Sequence, residues 1–144
     1  MILLMLLYLS GNNMPDLSSF HRTAMMLLRH ISPDAPQPAT DQHTFMLTID
    51  SRYSLSLAVI DETDWYLSAN IGELPHITQS NELLQKILKL NTLTQLSGQP
   101  VISLNEKNEW VIWSRLSLQG TEDSHIIALF DYILKSADYL LDLH

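Results

Sequence analysis

The side chains best suited to acid–base or metal chemistry are six histidines: His21, His30, His43, His76, His125 and His144. None stands four residues from another, so the chain lacks the paired-histidine helix motif of a zinc site. His30 and His43 flank a loop and can approach each other, but two imidazoles without further donors at ligand spacing describe solvated groups better than a metal centre. His125 falls near an expected helix start, where a cation is disfavoured and a neutral surface imidazole is expected. The acids Asp61, Glu62 and Asp64 lie close together. Their segment lacks the ligand spacing and central glycine of a calcium loop, so they read as a solvated turn. No serine sits in a G-x-S-x-G elbow. The four glycines are too widely spaced to cradle a phosphate. With no cysteine, thiolate catalysis, disulfides and thiolate–metal sites are excluded. No catalytic residues, metal ligands or cofactor are therefore assigned, and the chain reads as a protein that works by binding.

The residues suited to binding are aromatic and apolar. Trp110 and Trp113 are three positions apart, which in a strand sends them to opposite faces. One can join a core, leaving the other on an outer face or in a contact, where tryptophan is enriched. Arg115 shares a face with Trp113 and can stack on it or pair with an acid.

Composition narrows the partner. The 144 residues suit one domain with a single core. Sixteen acidic residues against eight basic ones give a net charge of −8. Nucleic acid is a poor partner for such a surface, because phosphate binding needs clustered Lys or Arg. A neutral or basic polypeptide suits it better. The opening run, Met1 to Leu9, is almost wholly apolar. It is too short to span a bilayer, so membrane insertion is not expected. It has neither the preceding Lys or Arg nor the small-x-small site of a signal peptide. Residues 1–13 are read as a dispensable apolar leader or tail, not native to the protein if its true start is Met14, with 14–144 as the single domain.

The elements that position these residues follow from periodicity. Leu17, Phe20, Ala24, Leu27, Leu28 and Ile31 form a helical stripe in a first helix over Asp16–Ile31, with Met25 and Met26 beside it. Ser32-Pro33 ends that helix, and Pro33–Gln42 is a proline-rich loop. Thr44–Ile49, Tyr53–Ile60 and Trp65–Asn70 alternate as strands joined by short turns, which implies antiparallel pairing with one face covered by helices. The segment from Gly72 to Ser80 reads as a loop. A second helix runs from a Ser80 cap through Asn81 to Leu96, stopping at Gly98. Two strands around the turn Asn105–Asn108, the second over Trp110–Leu118, precede a last amphipathic helix from about Thr121 to the C-terminus. The expected fold is α+β: an antiparallel five-stranded sheet with three helices in the order α-β-β-β-α-β-β-α.

This order, with particular residues, resembles the class I type III secretion chaperones. The segment Asn81–Asn91 is similar to their second helix, and Val101–Leu116 to their fourth and fifth strands. The run Trp110-x-x-Trp113-Ser114-x-Leu116 resembles members that serve a secreted tyrosine phosphatase effector. The apolar leader and the length of the proline-rich loop depart from the family pattern. The resemblance implies a cytoplasmic homodimer without ATPase activity. Its partner would be the N-terminal segment of a secreted effector, held unfolded and competent for export. On that basis the effector-binding groove is assigned to Phe20, Ala24, Met25, Leu28, Met46, Leu55 and Leu57, methionine being adaptable to a flexible peptide. The dimer interface is assigned to Leu84, Ile87, Leu88, Val111 and Trp113, because the second helix is too broadly apolar for a lone subunit. A stand-alone interaction or regulatory module of the same fold is the alternative. A small hydrolase comes third, since it has no nucleophile or metal pattern to support it.

Overall fold

A computed structural model describes residues 2–7 by their backbone and residues 16–61, 63–93 and 97–144 in full. The elements are β1 (Ile2–Leu7), α1 (Ser18–Ile31), β2 (Thr44–Ile49), β3 (Tyr53–Val59), β4 (Asp64–Gly72), α2 (Pro75–Thr78), α3 (Asn81–Leu88), β5 (Val101–Leu104), β6 (Trp110–Ser117) and α4 (Asp123–Leu141). All strands join one antiparallel sheet in the order β1-β2-β3-β4-β6-β5. The α+β class and the antiparallel sheet agree with the sequence reading.

Two tight turns shape the sheet. Asp50 and Ser51, both with positive φ (51° and 56°), link β2 to β3. Two such central residues match the right-handed twist of the flanking strands. Asn105 builds the β5–β6 turn with its own side chain: Oδ1 accepts from the amides of Lys107 (2.9 Å) and Glu109 (3.0 Å). Asn108 then takes a positive φ of 61°, a conformation asparagine tolerates.

Period-two alternation divides each strand between a covered and an open face. Phe45, Leu47, Leu55, Leu57, Trp65, Leu67, Ala69, Trp110, Ile112 and Leu116 are buried. Helices α1 and α4 supply the facing layer through Phe20, Ala24, Leu27, Leu28, Ile126, Phe130, Ile133 and Ala137. Phe20 lies at the centre, its ring 5.8 Å from Phe45 and 6.1 Å from Trp65. Surface ion pairs tie the helices together. Arg22 reaches Asp123 (3.3 Å), His30 reaches Asp131 (3.4 Å), and Arg52 on the β2–β3 turn reaches Asp138 and Asp142 on and beside α4.

Three features differ from the expected order. The sheet has a sixth strand, because Ile2–Leu7 pairs antiparallel along all of β2, from Ile2 opposite Ile49 to Leu7 opposite Thr44. A fourth, one-turn helix forms at Pro75–Thr78 within the expected loop. Proline pre-sets the φ of a first helical turn, and Ile77 is fully buried beneath it. Helix α3 begins at its Ser80 cap, whose hydroxyl accepts from the Leu83 amide at 3.2 Å, but stops at Leu88 rather than Leu96. The chain turns there because Asn91 is drawn to β5: its carboxamide donates to the Ile102 carbonyl and accepts from the Ile102 amide, both at 2.8 Å. Met14, Glu62 and Leu96 lie outside the described residues.

Candidate functional site

Of the residues assigned to a peptide groove, Phe20, Ala24, Met25, Leu28, Leu55 and Leu57 are buried, none more than 6% exposed. They are the contact between α1 and the covered sheet face and belong to the core, with Met25 alone also reaching the outer flank of α1. The stripe of α1 faces its own sheet, where the Phe20 ring packs on Phe45 and Trp65. Met46 stands apart from the other six, half-buried among the open-face positions of β2.

A groove does exist on the outer flank of α1. His21, Arg22, Met25, Met26 and Arg29 face Gln37 and Pro38 of the proline-rich loop around a concavity of about 340 Å³. Gln42 fixes that loop. Its side chain is fully buried, accepts from the Ala39 amide (3.3 Å) and donates to the Thr44 carbonyl (3.3 Å). The His21 ring Nε2 donates to the Gln42 carbonyl, joining loop to helix. The groove combines a methionine floor with two arginines on an otherwise acidic protein, a chemistry suited to an adaptable peptide with apolar and acidic groups. Met25, assigned to a peptide groove from the sequence, lines this concavity with Met26 beside it.

The second apolar surface lies on the uncovered face of the sheet. Trp110 and Trp113 diverge as strand geometry requires: Trp110 is 1% exposed and donates its indole N–H to the Thr78 hydroxyl (3.2 Å), whereas Trp113 is 39% exposed. Ile60, Tyr66, Ser68, Val111, Trp113 and Arg115 surround a shallow hollow of about 350 Å³. Arg115 closes one side, its Nε 2.8 Å from Asp64 and its Nη2 3.8 Å from Asp61. Among the residues assigned to a dimer contact, Val111 and Trp113 share this face. Leu88 is exposed, Leu84 is half-buried, and Ile87 is fully buried against the core. Ile87 therefore holds α3 to the fold, while Leu88, Leu90 and Leu93 present apolar surface outward.

The remaining polar groups serve local structure. Asp61 Oδ1 accepts from the Thr63 amide, the Thr63 hydroxyl and the Asp64 amide, each at 2.8 Å. The Thr63 amide, then its hydroxyl, hold the Asp61 carboxyl below its ordinary range. Asp16 accepts from the amide (3.0 Å) and hydroxyl (2.7 Å) of Ser18 at the start of α1, which likewise lowers its pKa. Glu109 is lowered by the side chain of Asn105 and then by that of Asn70. His76 stacks on His144 and donates to the Leu143 carbonyl, and His125 donates to the Ser97 carbonyl. Among the described residues no three His, Asp or Glu side chains converge as metal ligands. None of the helices described is long and apolar enough to cross a membrane.

Solved structures share this architecture. The Yersinia pestis type III secretion chaperone SycH, in complex with a stable fragment of YscM2, superposes with a TM-score of 0.62 at 22% identity, over 82% of this chain and 98% of that one. A chain of the Pseudomonas aeruginosa ExoT–SpcS complex gives 0.61 at 15% identity, over 85% and 97%. A chain of the heterodimeric ExoU–SpcU complex of the P. aeruginosa type III secretion system gives 0.63 at 13% identity, over 81% and 92%. At these identities the likeness establishes the fold. No curated protein matches the chain in sequence. The family model described as the Tir chaperone protein (CesT) family matches residues 26–141, from the middle of α1 to the end of α4, and the chain belongs to that family.

Proposed function

We propose that this chain is a type III secretion chaperone that works as a homodimer. It binds the N-terminal chaperone-binding region of a secreted effector in the cytoplasm and holds it soluble and export-competent without ATP hydrolysis. Residues 14–144 form the effector-binding domain. The observation that carries this reading is the apolar surface left over once the core is complete. Trp113, Ile60, Leu88 and Leu90 are each 39% exposed or more, although both helices and the covered sheet face already pack together.

The two surfaces divide the work. The Trp113 face is shallow, apolar and edged by the Arg115–Asp64 pair, and a second copy covers it. The α1 groove is concave and methionine-floored, and takes the guest. Ordering an unstructured segment costs roughly 2–5 kcal/mol, which a wrapped apolar contact offsets without nucleotide. Membership of a chaperone family and the likeness to chains solved with type III secretion proteins support this assignment.

Co-expression with the N-terminal regions of secreted proteins encoded beside this chain tests the proposal. The expected result is an ATP-independent complex of two copies with one effector segment, the bound segment gaining protection from protease relative to the free segment. Met26→Asp, on the groove wall, should abolish capture while the dimer persists. A chain that stays monomeric and captures none of the segments would refute it.

A further inference from the structure

The two ends of the sheet are finished differently. At one end β5 is four residues long, and the peptide groups flanking its centre are occupied: the Ile102 amide and carbonyl both bond to the Asn91 carboxamide at 2.8 Å. That edge is closed by a side chain that belongs to the same fold. At the other end β2 is covered along its six residues by β1. Sheet edges are normally protected by charge, proline or a bulge. Residues 2–7 contain none of these: the sequence is Ile-Leu-Leu-Met-Leu-Leu. β2 is the one substantial neighbour of β1 among the described residues. A uniformly apolar strand lacks the polar alternation that pins register and facing, so its pairing is weakly specified. The β2 strand, by contrast, is fixed from behind, with Phe45, Leu47 and Ile49 all buried.

We propose that β1 is an exchangeable occupant of the β2 edge, and that an extended apolar segment of a guest polypeptide enters by displacing it. This deepens the guest-binding reading above and rests on it for the identity of the guest. The backbone of β2 supplies the affinity for any extended chain, and the apolar character of β1 states the kind of segment that fits. Tethered in the same chain, β1 competes at a high effective concentration. A guest must therefore exceed that competition, which screens out casual peptides.

The test uses the full chain and a fluorescent probe peptide, KKILLMLLKK, a soluble copy of β1. In Leu4→Pro/Met5→Pro, one of the two adjacent amides necessarily faces β2, so proline removes a ladder donor whichever it is. If β1 occupies the edge at least nine-tenths of the time, this variant binds the probe about tenfold or more tighter than the parent chain. A second variant, Met5→Cys/Met46→Cys, places the chain's sole thiols at register partners. Directly opposed antiparallel residues lie within disulfide reach. Oxidation should abolish probe binding and reduction should restore it. Equal affinity of the proline variant and the parent would overturn the proposal. So would probe binding by the oxidised pair, or thiols that do not join. If the proline variant fails to fold, as read by the fluorescence of the buried tryptophans, the disulfide pair decides alone. The probe contains no effector sequence. A negative result with the probe alongside successful effector capture would remove the exchange and keep the chaperone, and the converse would do the reverse.

Discussion

Trp110 and Trp113 provide the sharpest test, because two identical side chains three residues apart have opposite roles. Trp110→Ala empties a fully enclosed site and removes the indole donor to Thr78. Such truncations cost about 3–5 kcal/mol, a large share of a domain stability of roughly 5–15 kcal/mol. Trp113→Ala removes a side chain that is already 39% exposed, and folding of the single subunit should change little. In the proposed dimer its cost falls on self-association. A tryptophan offers roughly 250 Å², so the exposed part is about 100 Å². Covering that area at about 25 cal/mol per Å² is worth roughly 2.5 kcal/mol in each protomer. Counted in both copies of a twofold contact, its loss weakens dimerisation by about a thousandfold or more. Sedimentation velocity across a concentration series reads the dimer, and urea unfolding at fixed protein concentration reads the fold. The expected result is a folded monomer for Trp113→Ala and a shifted or absent unfolding transition for Trp110→Ala. A Trp113→Ala chain with the parent's dimer constant, or one that unfolds like Trp110→Ala, would refute the assignment of the open face.

Other outcomes follow from burial and backbone geometry. Phe20→Asp should destroy the fold rather than selectively abolish guest capture, because it places a carboxylate among Phe45 and Trp65; loss of the near-ultraviolet circular dichroism signal checks this. Gly98→Ala should destabilise the chain by more than about 1 kcal/mol in urea titration. Its φ is +73°, and a Cβ would collide with the Leu116 side chain and lie 3.2 Å from Leu129. Burial, then the Asp138 carboxylate, pushes the Tyr53 phenol up from 10.0 to about 12. The folded chain therefore holds this proton where the unfolded chain releases it. The contribution is complete below pH 10 and is lost as pH rises toward 12, so alkaline melts should show a falling midpoint that Tyr53→Phe flattens.

The strands were legible because burial on one sheet face imposes strict alternation. In β6, Trp110, Ile112, Ser114 and Leu116 are buried while Trp113, Arg115 and Ser117 are exposed. The stripe of α1 was equally legible, yet its partner was not. A helical period reports that a face is covered, without saying whether by the chain's own sheet or by a guest. That is why Phe20, Ala24, Met25 and Leu28 looked available and are found in the core. The fourth helix was missed because Pro75–Thr78 is barely one turn, too short to establish a period. The early end of α3 depends on a contact between Asn91 and Ile102, eleven residues apart, which no local pattern announces. Pairing of Ile2–Leu7 with β2 is a longer-range case of the same kind.

The Asn91 clasp also bears on how large an assembly can grow. Cross-β stacking requires every unit to receive a strand on one side and offer one on the other. With Ile102 engaged within its own subunit, the central peptide groups of β5 are taken, so cross-β growth is hindered at that side of the sheet.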